Sequence, residues 1–158
     1  MNKFLAGILT FLLWIMPWWT GLYNTRNRLA FDATAICNEV IRCVKTRDTT
    51  TLESMMRPWL KNNEGNLSGK IEALLDCIDG DIIEIRISDM EGTRNTDGIY
   101  SVERIIIIKT AGVLYNLRVY YDVTNSKNSK DVGISWFQLA EIKSDGSGFI
   151  SLAEIKVP

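Results

Sequence analysis

Residues 67–88 read LSGKIEALLDCIDGDIIEIRIS, and this stretch decides the fold that we expect. Apolar residues recur at helical spacing in its first half and would share one face of a helix, namely Leu67, Ile71, Leu74, Leu75 and Ile78. Gly80 follows, and glycine accepts the left-handed conformation that often ends a helix. Isoleucines then alternate with Glu84 and Arg86, which is the period of a half-buried strand. The stretch therefore predicts a helix that runs directly into a strand.

Helical patterns precede this stretch and strand patterns follow it. Amphipathic helices are predicted at about 28–46 and 50–60, and strands at 82–88, 99–109, 113–124, 132–143 and 149–157. Asp97-Gly98 is a typical hairpin pair between two of these strands. We expect an α+β fold, in which an N-terminal apolar helix precedes two to three helices packed on a curved antiparallel sheet. Residues 26–158 would form a single domain.

Two of the predicted helices have hydroxyl side chains near their starts. Thr50 and Glu53 have the spacing of a capping box, in which each side chain bonds a backbone amide at the helix start. Ser68 is expected to cap the helix predicted in the stretch 67–88, which we call the deciding stretch.

An uncharged apolar run extends from Phe4 to Tyr23, with Trp18 and Trp19 near its end. About 20 helical residues cross a hydrocarbon core of roughly 30 Å. We therefore expect residues 1–25 to be a membrane anchor or a signal segment. An uncleaved transmembrane anchor is favoured, because small residues do not follow the run as a cleavage site requires. The positive charges on its two sides nearly balance, so they do not decide the orientation.

Composition excludes several classes of function. The chain has no histidine, so histidine-based catalysis and histidine-ligated zinc sites are excluded. A formal net charge of −1 without a basic stripe argues against nucleic acid as a partner. We expect no catalytic residue, no metal site and no cofactor.

Three cysteines are present, Cys37, Cys43 and Cys77. Each lies among apolar helical positions, which favours small buried side chains. A disulfide between Cys77 and one of the others is the alternative, and it would leave one thiol unpaired.

Aromatic residues are the candidates for a ligand pocket: Trp59, Tyr115, Tyr121 and Trp136. Asp122 is the carboxylate closest to them along the chain, but alternation places it on the other face of its strand with Arg118. We interpret Asp122 and Arg118 as an ion pair exposed to solvent.

Two tracts resemble a known family. The tract from Ile71 to Ile82 is similar to the helix-to-strand junction of an uncharacterised family of predicted bacterial lipoproteins, and 120–134 resembles that family's closing strands. The resemblance implies a nuclear-transport-factor-2-like, or cystatin-like, cone, in which a curved sheet wraps a helix and leaves a pocket. It also implies that such sheets pair back to back in a homodimer, and that the domain lies outside the cytoplasm. The lipid-attachment cysteine of that family is missing here, so the apolar leader would take over the anchoring.

The leading hypothesis is a non-catalytic, membrane-tethered or secreted domain that binds a small molecule or a protein partner. One alternative is a small pocket enzyme of the isomerase or dehydratase type, with a buried carboxylate beside a tyrosine. A second alternative is an immunity or inhibitor protein, which would show an exposed apolar or acidic patch.

Overall fold

The computed structural model describes residues 33–145 and 147–156. The predicted anchor, Phe4–Tyr23, lies outside these residues, and its membrane role stays a prediction. Within them, no helix is both long enough and apolar enough to cross a membrane. The described residues from Ala35 onwards belong to one compact unit.

Four helices occur in the described part of the chain. They are α1 at residues 33–46, α2 at Thr49–Met55, α3 at Pro58–Asn63 and α4 at Leu67–Asp76.

Both predicted helix caps are wrong by two residues. Asp48, rather than Thr50, caps α2, because its side chain accepts a hydrogen bond from the Thr51 N–H. Asn66, rather than Ser68, caps α4 and accepts from the Gly69 N–H. Each of these side chains reaches the third residue ahead, which satisfies an otherwise unpaired amide of the first turn.

Five strands form one antiparallel sheet in the order β1-β2-β3-β4-β5, so each strand pairs with its neighbour in sequence. They are β1 at Glu84–Thr96, β2 at Ile99–Lys109, β3 at Leu114–Asn125, β4 at Gly133–Ile142 and β5 at Phe149–Lys156. The predicted α+β class is confirmed. Asp97 and Gly98 join β1 to β2, both with positive φ, at 52° and 81°, which suits a tight hairpin.

The helices and one face of the sheet share a single core. Buried apolar side chains of α1, α2 and α4 meet alternate residues of the central strands, such as Leu117 and Val119 of β3 and Leu139 of β4. We call this the helix face of the sheet. Residues one position along each strand point to the other side, which we call the outer face.

The deciding stretch folds as a helix followed by a strand. Gly80 has the expected left-handed backbone, with φ of 79°. The β1 strand begins at Glu84, so Ile83 lies before it and is 65% exposed, while Ile85 packs against the core. Tyr115 of β3 fixes the turn, because its hydroxyl accepts a hydrogen bond from the Asp79 N–H at 3.1 Å.

Candidate ligand-binding site

The connection between α2 and α3 carries Arg57 to the outer face. Residues before a proline are pushed out of the helical region, and Arg57, before Pro58, is extended, with φ of −62° and ψ of 145°. Its N–H donates to the Ile134 carbonyl at 3.0 Å, and Met56 forms a parallel bridge with Ile134. Because side chains alternate along an extended segment, Met56 enters the core while Arg57 points the opposite way.

Gly133 lets this segment approach the start of β4. Its φ is 135°, which disfavours a side chain. A Cβ there would meet the Arg57 nitrogen and the Met55 carbonyl oxygen, each at 2.9 Å. The close backbone contact therefore requires glycine.

Arg57 binds two carboxylates, one on β3 and the other in the loop between β3 and β4. Its Nη1 donates to Asp122 Oδ2 of β3 at 2.7 Å, and its Nη2 donates to Asp131 Oδ2, just before β4. All three residues are buried, with exposed fractions of 8% or less. We call Arg57, Asp122 and Asp131 the buried triad.

Each carboxylate of the buried triad has further donors. Asp131 Oδ1 accepts from the Trp59 N–H at 2.9 Å, so it also satisfies the first turn of α3. Asp122 Oδ1 accepts from the hydroxyls of Ser101 at 2.7 Å and Ser135 at 2.9 Å. Buried charges persist only where such partners replace water, and the triad meets that condition.

The contact between Arg57 and Asp131 shifts the pKa of both groups so that their charged forms are favoured. The hydrogen bond from Arg57 is the largest cause that lowers the pKa of Asp131, although burial opposes it. The same bond is the largest cause that raises the pKa of Arg57. Arg57 Nε has no partner in the described part of the chain, so the guanidinium is held through its two terminal nitrogens.

A cavity of about 460 Å³ opens beside the triad on the outer face. Its floor is formed by Ser101, Asp122 and Ser135, and one wall by the rings of Tyr120 and Trp136, whose centroids are 4.4 Å apart at 54°. The remaining lining residues are Arg57, Arg94, Thr96, Asp97, Ile99, Glu154 and Lys156. A concave site with aromatic walls and a few fixed polar groups is typical of small-molecule binding.

Hydrogen bonds hold the aromatic wall in place. Trp136 Nε1 donates to Glu154 Oε1 at 2.8 Å, and Lys156 Nζ lies 3.5 Å from Glu154 Oε2. Burial, followed by a hydrogen bond with Glu103, raises the pKa of Tyr120 to about 12. The Tyr120 phenol is therefore neutral throughout the physiological range.

Residues 39–144 match the model of a family described as Domain of unknown function (DUF5104). The chain belongs to the DUF5104 family. The matched residues contain the whole buried triad, whereas β5 lies beyond them. The comparison with curated proteins finds no match.

One of the four predicted pocket residues lines the cavity of this DUF5104 domain. Trp136 forms its wall. Tyr115 is buried on the helix face, where Tyr121 also packs against the core. Trp59 packs against the same core from α3. The structure therefore brings Trp136 together with Tyr120, and not with the other predicted aromatics.

The predicted pair of Asp122 and Arg118 on a solvent-exposed face is wrong. Alternation does place both side chains on the outer face, but Arg57 closes this face over Asp122, which is 3% exposed. Arg118 instead lies 3.6 Å from Glu103 on β2. A segment distant in sequence, rather than solvent, covers this end of the strand.

Sequence reasoning missed most residues of the site, among them Arg57, Asp131, Tyr120, Ser101 and Ser135. One signal pointed to Arg57. It is a lone charge within MMRPWL, residues 55–60, and the following proline excludes it from a helix. A charge within such an apolar segment needs a partner.

Asp76 and the three cysteines do not form a second site in the described residues. Asp76 pairs with Arg47 at 2.9 Å, and no group of three or more acidic or cysteine residues in this part of the chain could hold a metal ion. Cys37, Cys43 and Cys77 are free thiols. Burial raises the pKa of Cys37 to about 11, so its thiol is protonated and unreactive.

Proposed function

We propose that this chain is a non-catalytic binding domain whose small-molecule site is the outer-face cavity. The observation that carries the proposal is the contact of Tyr120 with Trp136 directly beside the buried triad. The rings offer apolar area, while the triad and Glu154 fix polar groups around them. Preorganised groups of this kind lower the entropic cost of binding.

The hydrogen bonds of Asp122 favour binding over catalysis. An isomerase-type site needs a carboxylate beside a tyrosine in an apolar pocket. Asp122 instead accepts from Arg57, Ser101 and Ser135, so donors occupy three of the roughly four lone pairs of its carboxylate. A carboxylate used in this way positions its neighbours rather than moving protons.

A fragment library screened by NMR against the ¹⁵N-labelled full chain tests this proposal. Bound fragments should shift the indole N–H signal of Trp136, and Trp136→Ala should abolish their binding. Phe149→Ala is the matched control, because Phe149 is an exposed aromatic that does not line the cavity. Fragments that bind wild type and Trp136→Ala equally, or a complete lack of hits, would contradict the proposal.

On the basis of the cone resemblance, the proposal extends to the shape of the sheet and the location of the domain. A nuclear-transport-factor-2-like sheet would curve around its helices, and the domain would be held outside the cytoplasm by the apolar run Phe4–Tyr23. The length of that run and the tryptophans near its end support an anchor. Membrane fractionation, amino-terminal sequencing and protease accessibility in intact cells test it. A soluble chain shortened at its amino terminus would contradict a retained anchor.

A protein partner is the second candidate, and β5 supplies the observation that favours it. This strand lies at one edge of the sheet, and its residues Phe149, Ile150 and Leu152 are 56%, 46% and 37% exposed. Edge strands with exposed apolar residues readily pair with another chain. The partner would be a second copy, or a toxin if the chain is an immunity protein. Sedimentation of the full chain and of Ile150→Lys tests the dimer, which the lysine should dissociate.

A further inference from the structure

The two serines on the cavity floor offer acceptors to a ligand. Asp122 is ion-paired with Arg57, so its carboxylate is ionised and can only accept hydrogen bonds. The hydroxyls of Ser101 and Ser135 therefore donate hydrogen bonds to Asp122 Oδ1, which for Ser135 is closer, at 2.9 Å, than the Tyr120 carbonyl at 3.5 Å. Each serine oxygen keeps only lone pairs for a ligand, because a hydroxyl has a single proton. A ligand that reaches these oxygens has to bring the donor hydrogens.

The charge beneath this floor is negative. One guanidinium, that of Arg57, is shared by two carboxylates, those of Asp122 and Asp131. The buried triad therefore has a net charge of −1. Because the triad is shielded from water, salt weakens its field less than that of an exposed pair.

The aromatic wall favours the same ligand charge. The faces of tyrosine and tryptophan rings carry negative potential and attract cations. Tyr120 and Trp136 line the same cavity as the two serines, so a cation bound there can meet both the rings and the lone pairs.

We infer that the cavity selects ligands that carry a protonated amine, which donates to Ser101 and Ser135 beside the Tyr120–Trp136 wall. This inference rests on the proposed function, and it names the class of ligand. An ammonium group supplies three donors and one positive charge, and thus meets both demands of the floor.

Two cations that line the cavity, Arg94 and Lys156, would instead favour a negatively charged ligand. Lys156 lies near Glu154, which partly offsets its charge, and Arg94 donates through Nε to Thr96 Oγ1 at 2.9 Å. A carboxylate ligand would be drawn to Arg94 instead of to the serines. The test therefore compares a positive and a negative group attached to the same phenylethyl group.

Three probes that share a phenylethyl group test the inference on the full chain: 2-phenylethylamine, 2-phenylethanol and 3-phenylpropanoate. Titrations followed at the Trp136 indole N–H should show the amine binding about tenfold more tightly than the alcohol, since a charged donor forms the stronger hydrogen bond. Ser101→Ala and Ser135→Ala should each bring the amine's affinity towards that of the alcohol. Ser129→Ala is the matched control and should leave the amine's affinity unchanged, because Ser129 is exposed and does not line the cavity.

Other outcomes separate the inference from the proposed function. Equal affinities for amine and alcohol, or tightest binding of the carboxylate with loss in Arg94→Gln, would overturn the inference and leave the cavity a binding site. No binding of any probe, together with library hits at Trp136, would do the same. No binding in either experiment would overturn both. If the serine variants fail to fold, the preference of the wild-type protein for the amine over the alcohol still decides the inference, and equal affinities would contradict it.

Discussion

Arg57 is the residue on which the outer-face site depends, because it joins two buried carboxylates to the α2–α3 connection. Arg57→Leu would leave both carboxylates buried without their cation, and removing one member of such a buried network costs about 3–5 kcal/mol. We expect the urea midpoint of unfolding to decrease accordingly. Arg57→Lys should also destabilise the domain, since one ammonium cannot reproduce two separate guanidinium contacts.

Arg86→Leu is the matched control for the Arg57 variants. Arg86 pairs with Glu84 at 3.5 Å, and both side chains are more than half exposed. Exposed pairs contribute about 0–1 kcal/mol, so this variant should unfold close to wild type. Equal urea midpoints for Arg57→Leu and Arg86→Leu would show that the buried triad does not stabilise the domain.

Among the secondary-structure elements, the outer-face site depends on the contact of β4 with the α2–α3 connection. Gly133→Ala would force a Cβ to 2.9 Å from the Arg57 nitrogen and impose φ of 135° on an alanine. Strain and displacement of this kind cost about 1–3 kcal/mol or more. We expect a lower thermal unfolding temperature, together with weaker fragment binding, because Arg57 would shift with the segment.

Gly112→Ala controls for the general effect of adding a methyl group to a turn glycine. An added Cβ at Gly112 meets no heavy atom within 4 Å, and replacing glycine by alanine at a compatible site changes stability by less than about 1 kcal/mol. If the two alanine variants unfold at the same temperature, the close approach at Gly133 is not needed.

Elements were predictable from the sequence where the signal is local, as the bounds of β2 illustrate. Its predicted residues, 99–109, agree with the structure because alternation and the Asp97-Gly98 turn are short-range features. The triad was not predictable in this way. Arg57 lies 65 residues from Asp122 and 74 from Asp131, so no spacing reveals that they meet. Trp136 was found as an aromatic, whereas its partner Tyr120 emerged only from the pairing of β3 with β4.

At the scale of the whole molecule, the sign of the pKa shifts predicts how stability depends on pH. The Thr51 N–H, and then Arg42, lower the pKa of Asp48 to about 2, and Arg57 lowers that of Asp131 below its ordinary value of 3.8. A carboxyl whose pKa is lower in the folded state stabilises that state above its unfolded pKa. This stabilisation is lost as the pH falls from about 4 towards 2. Histidine, which titrates between about pH 5 and 8, is absent from the chain.

We therefore expect the urea midpoint to stay constant from about pH 8 to 5 and to decrease between about pH 4 and 2. Asp131→Asn should lower the midpoint at neutral pH, because Arg57 loses one of its two carboxylates. The same variant should flatten the acid decrease, since one of the carboxyls with a lowered pKa is gone. Asp89→Asn, which removes an exposed carboxylate, is the control and should follow the wild-type curve. A wild-type midpoint that decreases between pH 8 and 5, or an acid decrease that is identical in Asp131→Asn, would contradict a stabilising ion pair between Asp131 and Arg57.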